Sequence, residues 1–170
     1  MKLFTIQPVE VLDIINKTGV FIPDPTKTLA DYEYVDGCYN PLYTAYRWIA
    51  DVLRTRIPNS PKDDIPVWAW VDYSDIDFLD WGEESKNCVI IHLEIPDDQV
   101  VLSSVEDWEC VMLGYGVNAE DCSEDEEAVR STWPRCLRKH GEYSEGEHIQ
   151  ATFWRIKREY VVKVEALVAE

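Results

Sequence analysis

The sequence lacks most signatures that announce an enzyme class. Its five cysteines form no C-x-x-C pair, and no G-x-S-x-G nucleophile turn occurs. Neither form of phosphate-binding loop, G-x-x-x-x-G-K-[ST] or G-x-G-x-x-G, is present, and Gly114-Tyr115-Gly116 alone is too little to make one. Histidine is scarce, with three copies. Cys136 and His140 have the four-residue spacing of two ligands on one helix face, but no second pair accompanies them, so no metal is expected. No window approaches the roughly 18 apolar residues of a membrane span. The opening Met1–Pro8 lacks the apolar run of a secretory leader. Together with the odd cysteine count, this predicts reduced thiols and a cytoplasmic location. Basic residues are also few, 16 against 33 acidic ones, for a net charge of −17. Such a surface repels phosphate, so direct nucleic-acid binding and membrane binding are not expected.

What is present argues for a folded chain. Apolar residues make up 46% of the 170, with seven Trp and nine Tyr, well outside the composition of disordered segments. The length suits one core, so residues 1–170 read as a single domain. Phe4–Ile6 reads as a strand leading into a helix, with Pro8 at its start and Gly19 at its end. Residues 22–40 read as a surface loop. Asn40 and Pro41 open a stronger helix carrying Leu42, Ala45, Tyr46, Ile49, Val52 and Leu53 at helical spacing, stopped by Pro58 and Pro61. Strands follow at Pro66–Val71, Cys88–Ile95 and Val100–Leu102.

Ser103-x-x-Glu106 and Ser123-x-x-Glu126 match the capping box and predict two further helices, the second broken by Pro134. Strands at Ile149–Phe153 and Val161–Val168 close the chain, joined by a turn or helix around Arg155–Glu159. The pattern predicts an α+β fold: one mixed or antiparallel sheet with hairpin-like strands and flanking helices.

The charge is uneven. Residues 130–163 hold eight of the 16 basic residues and four of the 33 acidic ones, a local +4 against −21 for the remainder. Arg130, Arg135, Arg138, Lys139, Arg155, Lys157, Arg158 and Lys163 either balance acidic neighbours or hold an anion such as a nucleotide pyrophosphate. The acidic runs Asp72–Glu84 and Glu120–Glu127 suggest a basic protein partner. The ladder Asp72-x-x-Asp75-x-Asp77-x-x-Asp80 lacks the alternate spacing of a calcium loop. Paired carboxylates for glycoside hydrolysis are uninformative among so many acids. His92 alternates outward on its strand and reads as surface or half-buried. Trp48, Trp108 and Trp133 sit at apolar helical positions and read as core. Trp68 and Trp70 share one strand face, as packing or as a stacking platform for a base or nicotinamide.

Several segments resemble an uncharacterised bacterial domain-of-unknown-function family that opens with aromatic-Thr-x-Gln and closes with I-Q-A-T-F-W. The resembling segments are Phe4–Gln7, Pro66–Trp70, Ile95–Ser103 and Ile149–Trp154. That resemblance covers nearly the whole chain and carries no activity. More loosely, the order of a first strand with a polar residue near its end, a helix closed by Gly and a late strand with a polar residue at its start is similar to the ADP-ribosyltransferase fold.

This second resemblance implies a cleft binding NAD or a related nucleotide without a metal. Thr5 and Gln7 would meet the nicotinamide amide, Trp68 or Trp70 would stack on its ring, and Arg155 or Arg158 would meet the pyrophosphate. Gln150 would occupy the position of the family's catalytic Glu. An amide there keeps a hydrogen bond to ribose but loses the ionic stabilisation of the oxocarbenium-like state, which implies weak, altered or lost transfer. The alternative expectation is a non-catalytic acidic protein that engages a basic, nucleic-acid-binding partner.

Overall fold

Asn40 begins the longest helix: its Oδ1 accepts from the Leu42 amide at 2.9 Å, and Pro41 takes the first helical position, where no amide proton is needed. The computed structural model describes residues 1–28, 34–35, 38–62, 65–75, 87–118 and 125–167. In chain order its elements begin with β1 (Lys2–Pro8), α1 (Val9–Thr18), β2 (Val20–Phe21), the single turn α2 (Pro25–Thr28), β3 (Tyr34–Val35), β4 (Cys38–Tyr39) and α3 (Pro41–Arg56). Next come β5 (Val67–Trp70), β6 (Cys88–Glu94), β7 (Val101–Ser104), α4 (Val105–Met112) and α5 (Glu126–Thr132). The last are β8 (Leu137–Arg138), β9 (Ile149–Phe153), β10 (Ile156–Lys157) and β11 (Val161–Ala166).

Most boundaries fall where the sequence puts them, and the exceptions have local causes. The loop expected over residues 22–40 contains α2 and the β3–β4 pair. Ser103 does not cap a helix. Pairing of β7 with β9 runs one residue further, to Ser104↔Ile149, so Ser104 becomes the cap and its Oγ accepts from the Asp107 amide. The cap of α5 is Asp125, which accepts from the Glu127 amide; Ser123 lies outside the described residues. After α5, Pro134 sits in a tight 3-10 turn over Trp133–Cys136. The turn expected around Arg155–Glu159 is the short strand β10 followed by a 3-10 turn over Arg158–Tyr160.

Gly19 closes α1 at φ +87°, with its amide on the Ile15 carbonyl, a left-handed cap that costs glycine nothing. Gly114 at φ +75° follows α4, and a Cβ there would lie 3.2 Å from the Pro41 ring. Its role is therefore close packing of two helix ends, and Gly114-Tyr115-Gly116 has a structural explanation.

Seven strands form one sheet in the order β11-β6-β1-β5-β9-β7-β8, antiparallel at every junction. The fold is α+β, as expected, but most of its neighbours are distant in sequence: β1 lies between β5 and β6, and β9 between β5 and β7. Within this sheet the hairpin-like expectation fails for that reason; the β3–β4 pair outside it is a hairpin. Strand alternation sends two apolar sets to opposite faces. On one, Leu3, Val67, Ala69, Leu93 and Phe153 pack against Val11 and Ile15 of α1. On the other, Val101 and part of Trp68 lie under α3 and α4 with Ile49, Leu53, Trp108 and Val111. Each fully buried Leu or Ile contributes about 2 kcal/mol. That second face continues over β1 and β6 as Phe4, Ile6, Trp70 and Ile90.

Candidate functional site

β1 and β5 share a single rung, Phe4↔Trp70, and splay beyond it. The buried Thr5 covers the lost ladder contact: its Oγ1 donates to the Trp68 carbonyl at 2.8 Å. Gln7 Nε2 in turn donates to Thr5 Oγ1 at 2.8 Å. Past this chain of bonds the split opens into a cavity of about 300 Å³, with Thr5, Gln7, Phe21, Tyr46, Trp68 and Trp70 among its lining residues. The volume is at the small end of ligand pockets.

The two tryptophans differ. Trp68 leans on Trp108, ring centroids 4.6 Å apart, with the Tyr46 edge at 5.9 Å. Trp108 is stacked on Trp48 at 6.4 Å, and Trp48 meets Trp133 edge-on at 5.6 Å. Trp68 is thus the end member of an aromatic chain and is largely committed to packing. Trp70, half-buried among Phe4, Ile6 and Ile90, has no aromatic ring stacked on it among the described residues.

The remaining sequence-derived candidates are elsewhere. Phe4, Trp70, Gln150 and Ser103 follow one another across the sheet, so their side chains share a face. Gln7, three residues beyond Phe4 on a regular strand, belongs to the opposite face, and Gln150 is absent from the cleft lining. Gln150 Nε2, Ser103 Oγ and Trp68 Nε1 are buried without hydrogen-bond partners among the described residues. Three neighbouring donors on β5, β9 and β7 are thereby unsatisfied, an uncommon local concentration.

Arg155 and Arg158 border a different recess, of about 610 Å³, with Lys157, Glu159 and Gly19. The β2–β10 ribbon lies between: Phe21 lines the cleft, while Val20 and Lys157 line the basic recess. That recess sits at the carboxyl end of α1, where the helix dipole favours cations and disfavours an anion.

The basic stretch is largely neutralised where it stands. Arg130 pairs with Glu126, Lys139 with Glu142, Lys157 with Glu159 and Lys163 with Glu165. Arg138 pairs with both Asp107, at 2.7 Å, and Glu147, at 2.5 Å. Arg135 donates to the Val117 and Asn118 carbonyls. Of the acidic runs, 76–86 and 119–124 lie outside the described residues. Burial pushes the Cys136 thiol up to about 12, so it is no nucleophile at neutral pH. Among the described residues no group of three His, Cys, Asp or Glu is placed to hold a metal, and no helix is long and apolar enough to cross a membrane.

A cluster that sequence reading missed surrounds His92. Its ring lies flat against Tyr73, centroids 5.8 Å apart, and edge-on to Phe4 at 5.3 Å. Lys163 is its cross-strand neighbour, and Nε2 is 3.5 Å from Glu165 Oε2, long for a hydrogen bond. Burial, then Lys163, hold its pKa below the ordinary value of 6.5. The unfolded chain therefore takes up the proton first as pH falls. His92 costs no stability above about pH 6.5 and destabilises the fold progressively below it. In urea titrations from about pH 7 to 5, His92→Gln should flatten the loss of stability; an unchanged slope would refute this assignment.

The family model described as Domain of unknown function (DUF3841) matches residues 2–128. The chain belongs to that family. The opening Phe4–Gln7 and the segments Pro66–Trp70 and Ile95–Ser103 fall inside the DUF3841 match, whereas the closing Ile149–Trp154 falls beyond it. The DUF3841 match thus includes Thr5, Gln7, Trp68 and Trp70 and excludes Gln150, Arg155 and Arg158. No curated protein and no solved structure matches the chain.

Thr5 and Gln7, which the ADP-ribosyltransferase resemblance singles out, both line the cleft. Phe21 and Tyr46 carried no such signal. They reach the cleft only because β2 pairs with β10 and α3 crosses the sheet.

Proposed function

We propose that the split between β1 and β5 is a ligand-binding cleft for a planar ring bearing a carboxamide, with the nicotinamide of NAD or a related nucleotide as the ligand class. The observation that carries this reading is the hydrogen-bonded pair Thr5–Gln7 at a cavity walled by Trp68 and Trp70. A glutamine amide offers both a donor and an acceptor, the complement of a carboxamide. An aromatic wall supplies stacking for the ring.

Binding is the part of the reading that has support. Gln150 does not line the cleft, so no residue is assigned to breaking the glycosidic bond. Arg155 and Arg158 are separated from the cleft by the β2–β10 ribbon, so the ligand is assigned by its ring and carboxamide alone. A basic protein partner is the other reading of the charge, and it stands on composition alone.

Calorimetry with NAD, nicotinamide mononucleotide and nicotinamide tests the proposal. All three should bind, since all carry the ring, and Gln7→Leu and Trp70→Ala should each weaken binding by about tenfold or more. Absence of heat and of thermal shift at millimolar ligand would remove the cleft reading. Binding that survives both substitutions would place the ligand elsewhere.

A further inference from the structure

β11 is the outer strand of the sheet, paired to β6 on one side. Among the described residues it carries the most exposed apolar strand positions: Val162 is 59% accessible and Val164 37%. Natural edges of this kind are ordinarily blunted or covered, because their free amides and carbonyls invite another strand. A bulge at Val162 interrupts the register with β6. From Lys163 to Ala166 the strand is regular, and no described segment pairs with its outer side.

The register fixes which backbone groups are free. The Leu167 amide donates to the Cys88 carbonyl, and Lys163↔His92 and Glu165↔Ile90 belong to the same ladder. Antiparallel rungs alternate, so Lys163, Glu165 and Leu167 turn their hydrogen-bonding groups towards β6. Val164 and Ala166 turn theirs outward.

We infer that this edge joins a second copy of the same chain, with β11 paired antiparallel to β11 about a twofold axis at Val164. Val164 then bonds to its own counterpart, and the neighbouring rungs set Lys163 opposite Glu165 of the second copy, twice by symmetry. Those rungs are of the non-hydrogen-bonded type, in which facing side chains approach most closely.

Charge selects this register. Sliding the strands so that the axis passes through Lys163 sets Lys163 against itself, and an axis through Glu165 sets Glu165 against itself. Like charges directly opposite destabilise a strand pair, and opposite charges stabilise it. Only the Val164 axis gives two attractive pairs. Within each chain Lys163 and Glu165 already form an ion pair on the same face, so the dimer completes a four-charge cluster.

Sedimentation velocity over a range of protein concentrations tests the inference. The unaltered chain should show a concentration-dependent dimer. Lys163→Glu and Glu165→Lys should each weaken it by about tenfold or more, since each turns both attractive pairs into repulsive ones. Lys163→Glu combined with Glu165→Lys should restore it. Glu165→Lys separates register from bulk repulsion: it reduces the net charge from −17 to −15, so a dimer opposed only by overall charge would tighten. Val164→Pro, which removes an outward amide and leaves the β6 ladder intact, should give a folded monomer. A monomer at every concentration, or a dimer indifferent to both single charge changes, would overturn the inference.

Discussion

Replacing Arg138 with methionine should lower the unfolding free energy by about 3 kcal/mol, seen in urea titration as an earlier midpoint at unchanged slope. Arg138 and its two carboxylates are each about four-fifths buried, with side-chain exposures of 20% for Arg138, 17% for Asp107 and 19% for Glu147. The guanidinium bridges three elements: Nη2 bonds Asp107 on α4, Nε bonds Glu147 before β9, and Nη1 bonds the Arg135 carbonyl. Methionine keeps much of the stem's packing and removes the charge, leaving two largely buried carboxylates facing each other without a cation. The cost lies in that leftover charge more than in the lost bonds. Arg138→Met together with Asp107→Asn and Glu147→Gln should therefore recover most of the loss. A single substitution costing under about 0.5 kcal/mol would mean that water reaches this network and screens it.

Trp108→Ala should cost about 4 kcal/mol. Trp108 is 3% exposed and meets Trp68, Trp48 and Tyr46, so its removal empties the centre of the layer between sheet and helices. Trp108→Phe, which refills part of the volume, should recover about half. Near-ultraviolet circular dichroism reports the ring chain directly and should lose intensity in the alanine variant. Because Trp68 also lines the cleft, the same variant should weaken any ring ligand by loosening the wall behind it. A loss below about 1 kcal/mol would show that the layer closes over the gap.

Local chemistry was legible from sequence, and long-range phase was not. Asn40-Pro41 and the apolar stripe through Leu53 specify α3 nearly to the residue, because capping and helical period are local. Alternation likewise put Trp68 and Trp70 on one face. The relative phase of two strands is fixed only when they pair, and β1, β5 and β9 come together across about 150 residues of chain. Gln7 and Gln150 could therefore be chosen as polar strand residues but not assigned to one side. The same limit applies to charge. A count gives residues 130–163 a surplus of four positives, while the fold brings Asp107 to Arg138. The slip from Ser103 to Ser104 as cap is smaller in kind: one extra rung with β9 delays the helix by a residue.

The interleaved strand order has a kinetic side. β9 is the sole link between β5 and β7 in the sheet, and β6 closes over β1 only after about eighty intervening residues. Nearly every rung therefore waits on loop closure across much of the chain, the arrangement that makes antiparallel folds slow to form. A nascent chain carrying residues 2–128, the extent of the family match, has made β1, β5, β6 and β7 but not the strand that joins them into one sheet. Until the last forty or so residues arrive, β5 and β7 keep the open edges that β9 pairs with.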